Sequence, residues 1–162
     1  MYNLPLHILA EIELTSAADG QTFTLSDYTI PSGAVHLVVF GSIRSVLGGN
    51  EDSVKVQFNG DTGTNYNYEY LSATSTSTAS AVGTNQTSIY AGQMSGDGAT
   101  STEFSAFYML VAEYAGTVRH KLATMMAGRV ENNIYHTVAR WASAPAITSV
   151  KISASTNLQI GT

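Results

Sequence analysis

Residues 54–70 read Val-Lys-Val-Gln-Phe-Asn-Gly-Asp-Thr-Gly-Thr-Asn-Tyr-Asn-Tyr-Glu-Tyr, and their reading decides the fold class. Val54, Val56 and Phe58 alternate with Lys55 and Gln57, so a strand here has one apolar and one polar face. Tyr66, Tyr68 and Tyr70 alternate with Asn67 and Glu69 in the same way. Between the two runs, Asn59, Gly60, Asp61, Gly63 and Asn65 are turn formers, and the glycines tolerate the positive φ that a reversal needs. The expectation is an antiparallel hairpin with its register set by a structural turn over 59–65.

Working outward, His7–Leu14 alternates Ile8, Ala10, Ile12 and Leu14 against Leu9, Glu11 and Glu13, which predicts a first strand. Thr22–Ile30 predicts a second, closed by Pro31-Ser32-Gly33. Ala34–Ile43 is almost continuously apolar, the pattern of a central strand buried on both faces. Gly48-Gly49-Asn50 marks a turn before Val54. Ser72–Gly83 is nearly all Ser, Thr and Ala and reads as a long exposed loop. Phe104–Tyr114 fits a strand or a helix of period 3.6; the turn Tyr114-Ala115-Gly116-Thr117 into Val118–Leu122 favours the strand. Ile134–Trp141 and Ile147–Ile152 complete the series. Short strands at such spacing predict an all-β chain, a single antiparallel β-sandwich. Residues 1–6 form an N-terminal arm and 7–162 the sandwich domain, with no repeat and no linker.

A chain of 162 residues can bury a core of its own without staples. Hydrophobic residues make up 44% and charged ones 12%, so this is no disordered tail, and Ser and Thr, 37 in number, carry the solubility. Seven scattered Lys and Arg and a net charge of −5 argue against a nucleic-acid footprint. Cysteine is absent, which excludes disulfides and thiolate metal sites. There is no apolar run of membrane-spanning length, and Met1–Leu6 lacks the basic start of a secretory signal. If the chain is made in a bacterium, it is expected to be made in the cytoplasm, with no membrane partner.

Phe58-Asn59-Gly60-Asp61-Thr62-Gly63 followed by Asn65-Tyr66 resembles a signature of small virion structural proteins of tailed bacteriophages. The resemblance extends to Ala34–Arg44 before the motif. It extends also to Arg140-Trp141-Ala142-Ser143-Ala144-Pro145-Ala146-Ile147-Thr148-Ser149-Val150-Lys151-Ile152 near the end. From Ala34 to Ile152 these stretches fall in order across at least two thirds of the chain. The resemblance implies a jelly-roll-like sandwich on a virion, often trimeric, whose partners are the major capsid protein and sister copies. Similar sequences continue past an equivalent of Gly161-Thr162 into a last apolar strand, where this sequence ends. That departure implies either an edge closed by a neighbouring subunit or a shorter sandwich with an open edge.

Motifs for chemistry are sparse. Asn59, Asp61 and Asn65 could begin a calcium loop, but the twelfth position from Asn59 is Tyr70 and not Glu, so a turn held by Asn and Asp side chains is the expectation. His7, His36, His120 and His136 have no metal-ligand spacing, each falls in a predicted strand, and His36 is expected to be a satisfied core residue. Gly92-Gln93-Met94-Ser95-Gly96 is not a nucleophile elbow, and Gly96-Asp97-Gly98 is a turn. Glu11 and Glu13 share one strand face at a spacing that glycosidases use, on a face that reads as solvated. No enzyme, cofactor or metal is expected.

Tyr66, Tyr68, Tyr70, Tyr90, Tyr108, Tyr114 and Trp141 suit a sugar platform, a protein interface, or plain packing of one sheet face, which is preferred for Tyr66, Tyr68 and Tyr70. Tyr2, Leu4 and Leu6 precede the first strand and are candidate interface anchors. The leading function is a capsid decoration or cement protein that stabilises the head shell. The alternative is a tail-tip or fibre domain that binds host surface carbohydrate through the tyrosines and the Ser72–Gly83 loop.

Overall fold

The computed structural model describes residues 8, 9, 11, 13, 16–129 and 132–159. Among the described residues ten strands follow one another: β1 (Gln21–Thr24), β2 (Leu37–Ile43), β3 (Glu51–Phe58), β4 (Tyr66–Thr74), β5 (Thr78–Gln86), β6 (Ile89–Ser95), β7 (Ser105–Ala112), β8 (Lys121–Arg129), β9 (Asn133–Trp141) and β10 (Ser149–Ser153). They form two antiparallel sheets, ordered β1-β10-β3-β6 and β2-β7-β8-β9-β4-β5. The chain passes between sheets after β1, β2, β3, β5, β6 and β9, which winds it in a jelly-roll-like way. The meander β7-β8-β9 lies in the middle of the larger sheet.

The core lies between the sheets and comes from alternate residues of each. Val54, Val56 and Phe58 of β3 are fully buried, as are Ile89, Met94 and Val150, and they meet Met109, Val111, Met125 and Trp141 from the larger sheet. Gly92 has φ +133°, and a Cβ there would lie 2.7 Å from the Tyr135 Cβ, so only glycine lets the sheets approach at this point.

Several expectations are corrected. Residues 54–70 are not a hairpin: β3 pairs with β10 and β6, while β4 pairs with β9 and β5. The 59–65 turn is instead an arch from one sheet to the other. A period of two is common to both geometries; here the two apolar faces oppose each other across the core, with Phe58 and Tyr66 ring centroids 6.4 Å apart. Ser72–Gly83 is no loop but most of the β4–β5 hairpin, in register from Ala73↔Thr78 to Tyr68↔Gly83. Its small residues suit an edge that overhangs the narrower sheet, where no core needs filling; β5 is exposed except at Gly83.

The predicted central strand, β2, is at the edge of the larger sheet and pairs with β7 alone; Phe40 is exposed. Thr22–Ile30 is extended only to Thr24. A 3-10 turn over Leu25–Asp27 then tucks Leu25 into the core and leads the chain towards the second sheet. Of the predicted first strand, the described residues Ile8, Leu9, Glu11 and Glu13 are not in a strand. Ile8 is exposed while Leu9, of opposite parity, packs on the core, so the alternation pointed at the wrong face. His7, Ala10, Ile12 and Leu14 lie outside the described residues. Val118, His120 and Arg119 precede β8 as an exposed segment, because the strand begins only where Lys121 pairs with Trp141.

Candidate interaction surface

The sequence places apolar residues at both parities of the central strands, and the structure uses one parity for the core. In β7, Phe107, Met109 and Val111 point inward, which leaves Tyr108 and Leu110 outside. In β8 and β9 the inward residues include Ala123, Met125 and Ala139, so Leu122, Met126, Ile134 and Val138 face out. The registers align these positions. One row runs Val38, Leu110, Thr124, Val138, Glu69, Val82, and the next runs Phe40, Tyr108, Met126, His136, Leu71, Ser80. Phe40, Leu71, Val82, Leu122, Met126, Ile134 and Val138 are each between 53% and 66% exposed. Singly exposed apolar side chains are ordinary, but a contiguous set on one flat face is not.

The polar groups in the centre of this face pair with each other. Thr124 Oγ1 lies 2.8 Å from His136 Nε2. Among the described residues its charged side chains are Glu69, between Val138 and Val82, and Arg140, opposite Leu122. A shallow depression between Leu110, Leu122, Thr124 and Val138 has an apolar lining. The outer face of the smaller sheet differs: Thr22, Thr24, Ser53, Lys55, Gln57, Ser149 and Lys151 make it polar.

The predicted turn residues are brought together in the arch, with structural tasks. Asn59 (φ +53°) and Gly60 (φ +65°) make the left-handed bend. The Asn59 side chain donates to Ala146 O (2.8 Å) and accepts from the Thr148 and Ser149 N–H groups, so it holds the chain entering β10. Asp61 accepts from the Gly63 N–H (2.8 Å), Asn65 Nδ2 (2.9 Å) and Trp141 Nε1 (2.6 Å). The Trp141 hydrogen bond first, and those of Asn65 and Gly63 after it, hold the Asp61 carboxyl below its ordinary value against the effect of burial. Gly63 has no positive φ, and its tight place between Asp61 and Asn65 is the constraint there. The Tyr66 hydroxyl accepts from the Phe58 N–H (3.0 Å) and donates towards Asp61 O (3.1 Å), and burial pushes its pKa up to about 12.

Tyr2, Leu4 and Leu6 lie outside the described residues. Glu11 and Glu13 are exposed and share no strand face. His36 is not a core residue: it is exposed ahead of β2, with Nδ1 3.4 Å from the Glu113 N–H, because the buried stretch starts at Leu37. Of the described histidines only His136 is in a strand, on the outer face. Tyr68, Tyr70, Tyr90 and Tyr135 pack on one another between the sheets with centroids 5.2–6.2 Å apart. Among the described residues, no group of three or more His, Cys, Asp or Glu is placed to hold a metal ion.

Two buried charges fix the far end of the sandwich. Arg44 donates from Nη1 to Thr100 O (2.6 Å) and Glu103 O (2.8 Å), from Nη2 to Ala99 O (3.0 Å), and from Nε to Gln159, so it holds the β6–β7 connection. Asp52 accepts from the N–H groups of Ser53, Ser155 and Thr156 and from the Thr156 hydroxyl. Comparison of the chain with protein-family models, curated proteins and solved structures finds no match.

Proposed function

We propose that this chain is a structural protein of a tailed-phage virion, a decoration or cement protein that stabilises the head shell. It works by burying surface against other proteins and has no catalytic turnover. The observation that supports this reading is the apolar outer face of the six-stranded sheet, whose seven large side chains are each more than half exposed. The virion assignment itself rests on the resemblance of Phe58–Tyr66 and Arg140–Ile152. The major capsid protein is the expected shell partner and a homotrimer the expected unit. Residues 1–6, with Tyr2, Leu4 and Leu6, are the arm that would reach the shell.

Immunogold labelling of intact virions with an antibody against this chain tests the proposal. Label over the head supports it, and absence from purified virions overturns it. Label confined to the tail, together with retention on a glycan array, would replace it with the carbohydrate-binding alternative.

A further inference from the structure

We infer that the outer face of the six-stranded sheet is buried against the same face of a sister copy of this chain. The inference rests on reading that face as an interaction surface and names its partner. Three observations select a sister copy. First, the face is nearly neutral, with Glu69 and Arg140 as its charged residues, so it offers no field to steer a strongly charged partner. Second, its central Thr124 and His136 bond each other, Thr124 Oγ1 to His136 Nε2 at 2.8 Å, so of this pair's ring nitrogens only His136 Nδ1 is left to be matched when the face is covered. Third, the other sheet's outer face is polar, with Lys55, Gln57 and Lys151, so the described residues offer no second apolar sheet face to receive this one. An apolar contact between sheet faces of sister copies therefore uses this face on both sides.

The size is sufficient. Six strands about 4.8 Å apart and four outward residues about 6.7 Å apart along β8 span about 24 by 20 Å. That is roughly 500 Å2 in plan per copy, or about 1,000 Å2 over the two, which reaches the lower bound for a specific interface. Two such faces stack about 10 Å apart, as the two sheets within one sandwich do. In a pair the contact is two-fold. Such a contact joins copies two by two, so the three-fold contacts of a trimer would use other surfaces.

The test is sedimentation equilibrium of the full chain at micromolar concentration, with three variants. Wild type is expected to self-associate. Met126→Glu, which buries an unpaired charge in the contact, should weaken association by about a hundredfold or more. Val138→Thr keeps a β-branched residue and should weaken it less while leaving urea unfolding of the monomer unchanged. Lys55→Glu on the opposite face should change nothing. A monomeric wild type, or a Met126→Glu oligomer as tight as wild type, overturns the inference. So does a monomeric wild type whose Met126→Glu variant loses its hold on the shell, since the face then belongs to the shell protein. A chain that self-associates through this face but is missing from virions sustains the inference and ends the virion reading. A monomer found on the head does the reverse.

Discussion

Trp141, at the end of β9, donates its indole N–H to Oδ2 of Asp61 at 2.6 Å, which ties the last strand of the meander to the arch between the two sheets. The same indole packs on Phe58, with centroids 5.9 Å apart, and stacks on Tyr66 at 6.5 Å. The motif residues therefore close one end of the core, where three segments distant in sequence meet. Trp141→Phe keeps most of the apolar packing and removes the bond to a charged acceptor. It should lower the unfolding free energy by about 1–2 kcal/mol in urea titrations. Asp61→Asn should cost a similar amount, and the double variant less than the sum, because both delete one interaction.

Acid should act through Asp61 and Asp52. Asp61 is held below its ordinary value chiefly by Trp141. Burial pushes Asp52 up, but bonds from Thr156, Ser155 and Ser53 outweigh it and leave the carboxyl lowered. Both groups bind a proton more weakly folded than unfolded. Their stabilisation is complete above the unfolded value of about 4 and disappears as pH falls through the folded values. Thermal midpoints should fall steeply below about pH 4, and Asp52→Asn with Asp61→Asn should flatten that limb. An unchanged acid limb in the double variant would contradict the assignment.

Arg44 is 1% exposed and surrounded by carbonyl oxygens of the β6–β7 connection. Arg44→Met fills much of the space but takes their donor from the Ala99 and Glu103 carbonyls, while Thr100 O keeps the Glu103 N–H, and should destabilise by about 3 kcal/mol or more. Arg44→Lys should recover only part, since an ammonium cannot reproduce the planar fork. Urea unfolding of both variants checks the order.

At Gly60 the backbone has φ +65° with open space beside the Cα, so the cost of a side chain there is conformational. Gly60→Val should cost about 1–2 kcal/mol and Gly60→Asn clearly less, because Asn tolerates the left-handed region. Equal losses for the two, measured by thermal unfolding, would mean that contacts and not φ decide the site.

What was legible in the sequence was the parity of the strands. Val54, Val56 and Phe58 lie inward as their alternation requires. Their partners were not legible, because a hairpin and an arch share one pattern, and the contact from Asp61 to Trp141 spans 80 residues. β6 was missed since Gly92 and the register shift opposite Val54 and Lys55 break its alternation. β5 was missed since an overhanging edge needs no large side chains. The outer face left a trace in residues 106–112, Ala-Phe-Tyr-Met-Leu-Val-Ala, where both parities are apolar although one sheet face meets no other part of the described chain. Two-sided apolarity in Ala34–Ile43 was read as central burial within the fold, whereas β2 is an edge strand with Phe40 on that outer face.

The central claim is that this face is covered in the working assembly, and Met126 reports on it directly. Met126 is 53% exposed in the isolated chain, while Met94, Met109 and Met125 are fully buried. Peroxide oxidation of the native assembly, read by peptide mass spectrometry, compares them within one sample, since sulfoxide formation follows access. The account predicts that Met126 oxidises as slowly as Met109 and Met125 in the assembly, and fast once Val138→Lys opens the contact. Rapid oxidation of Met126 in the intact native assembly would contradict it.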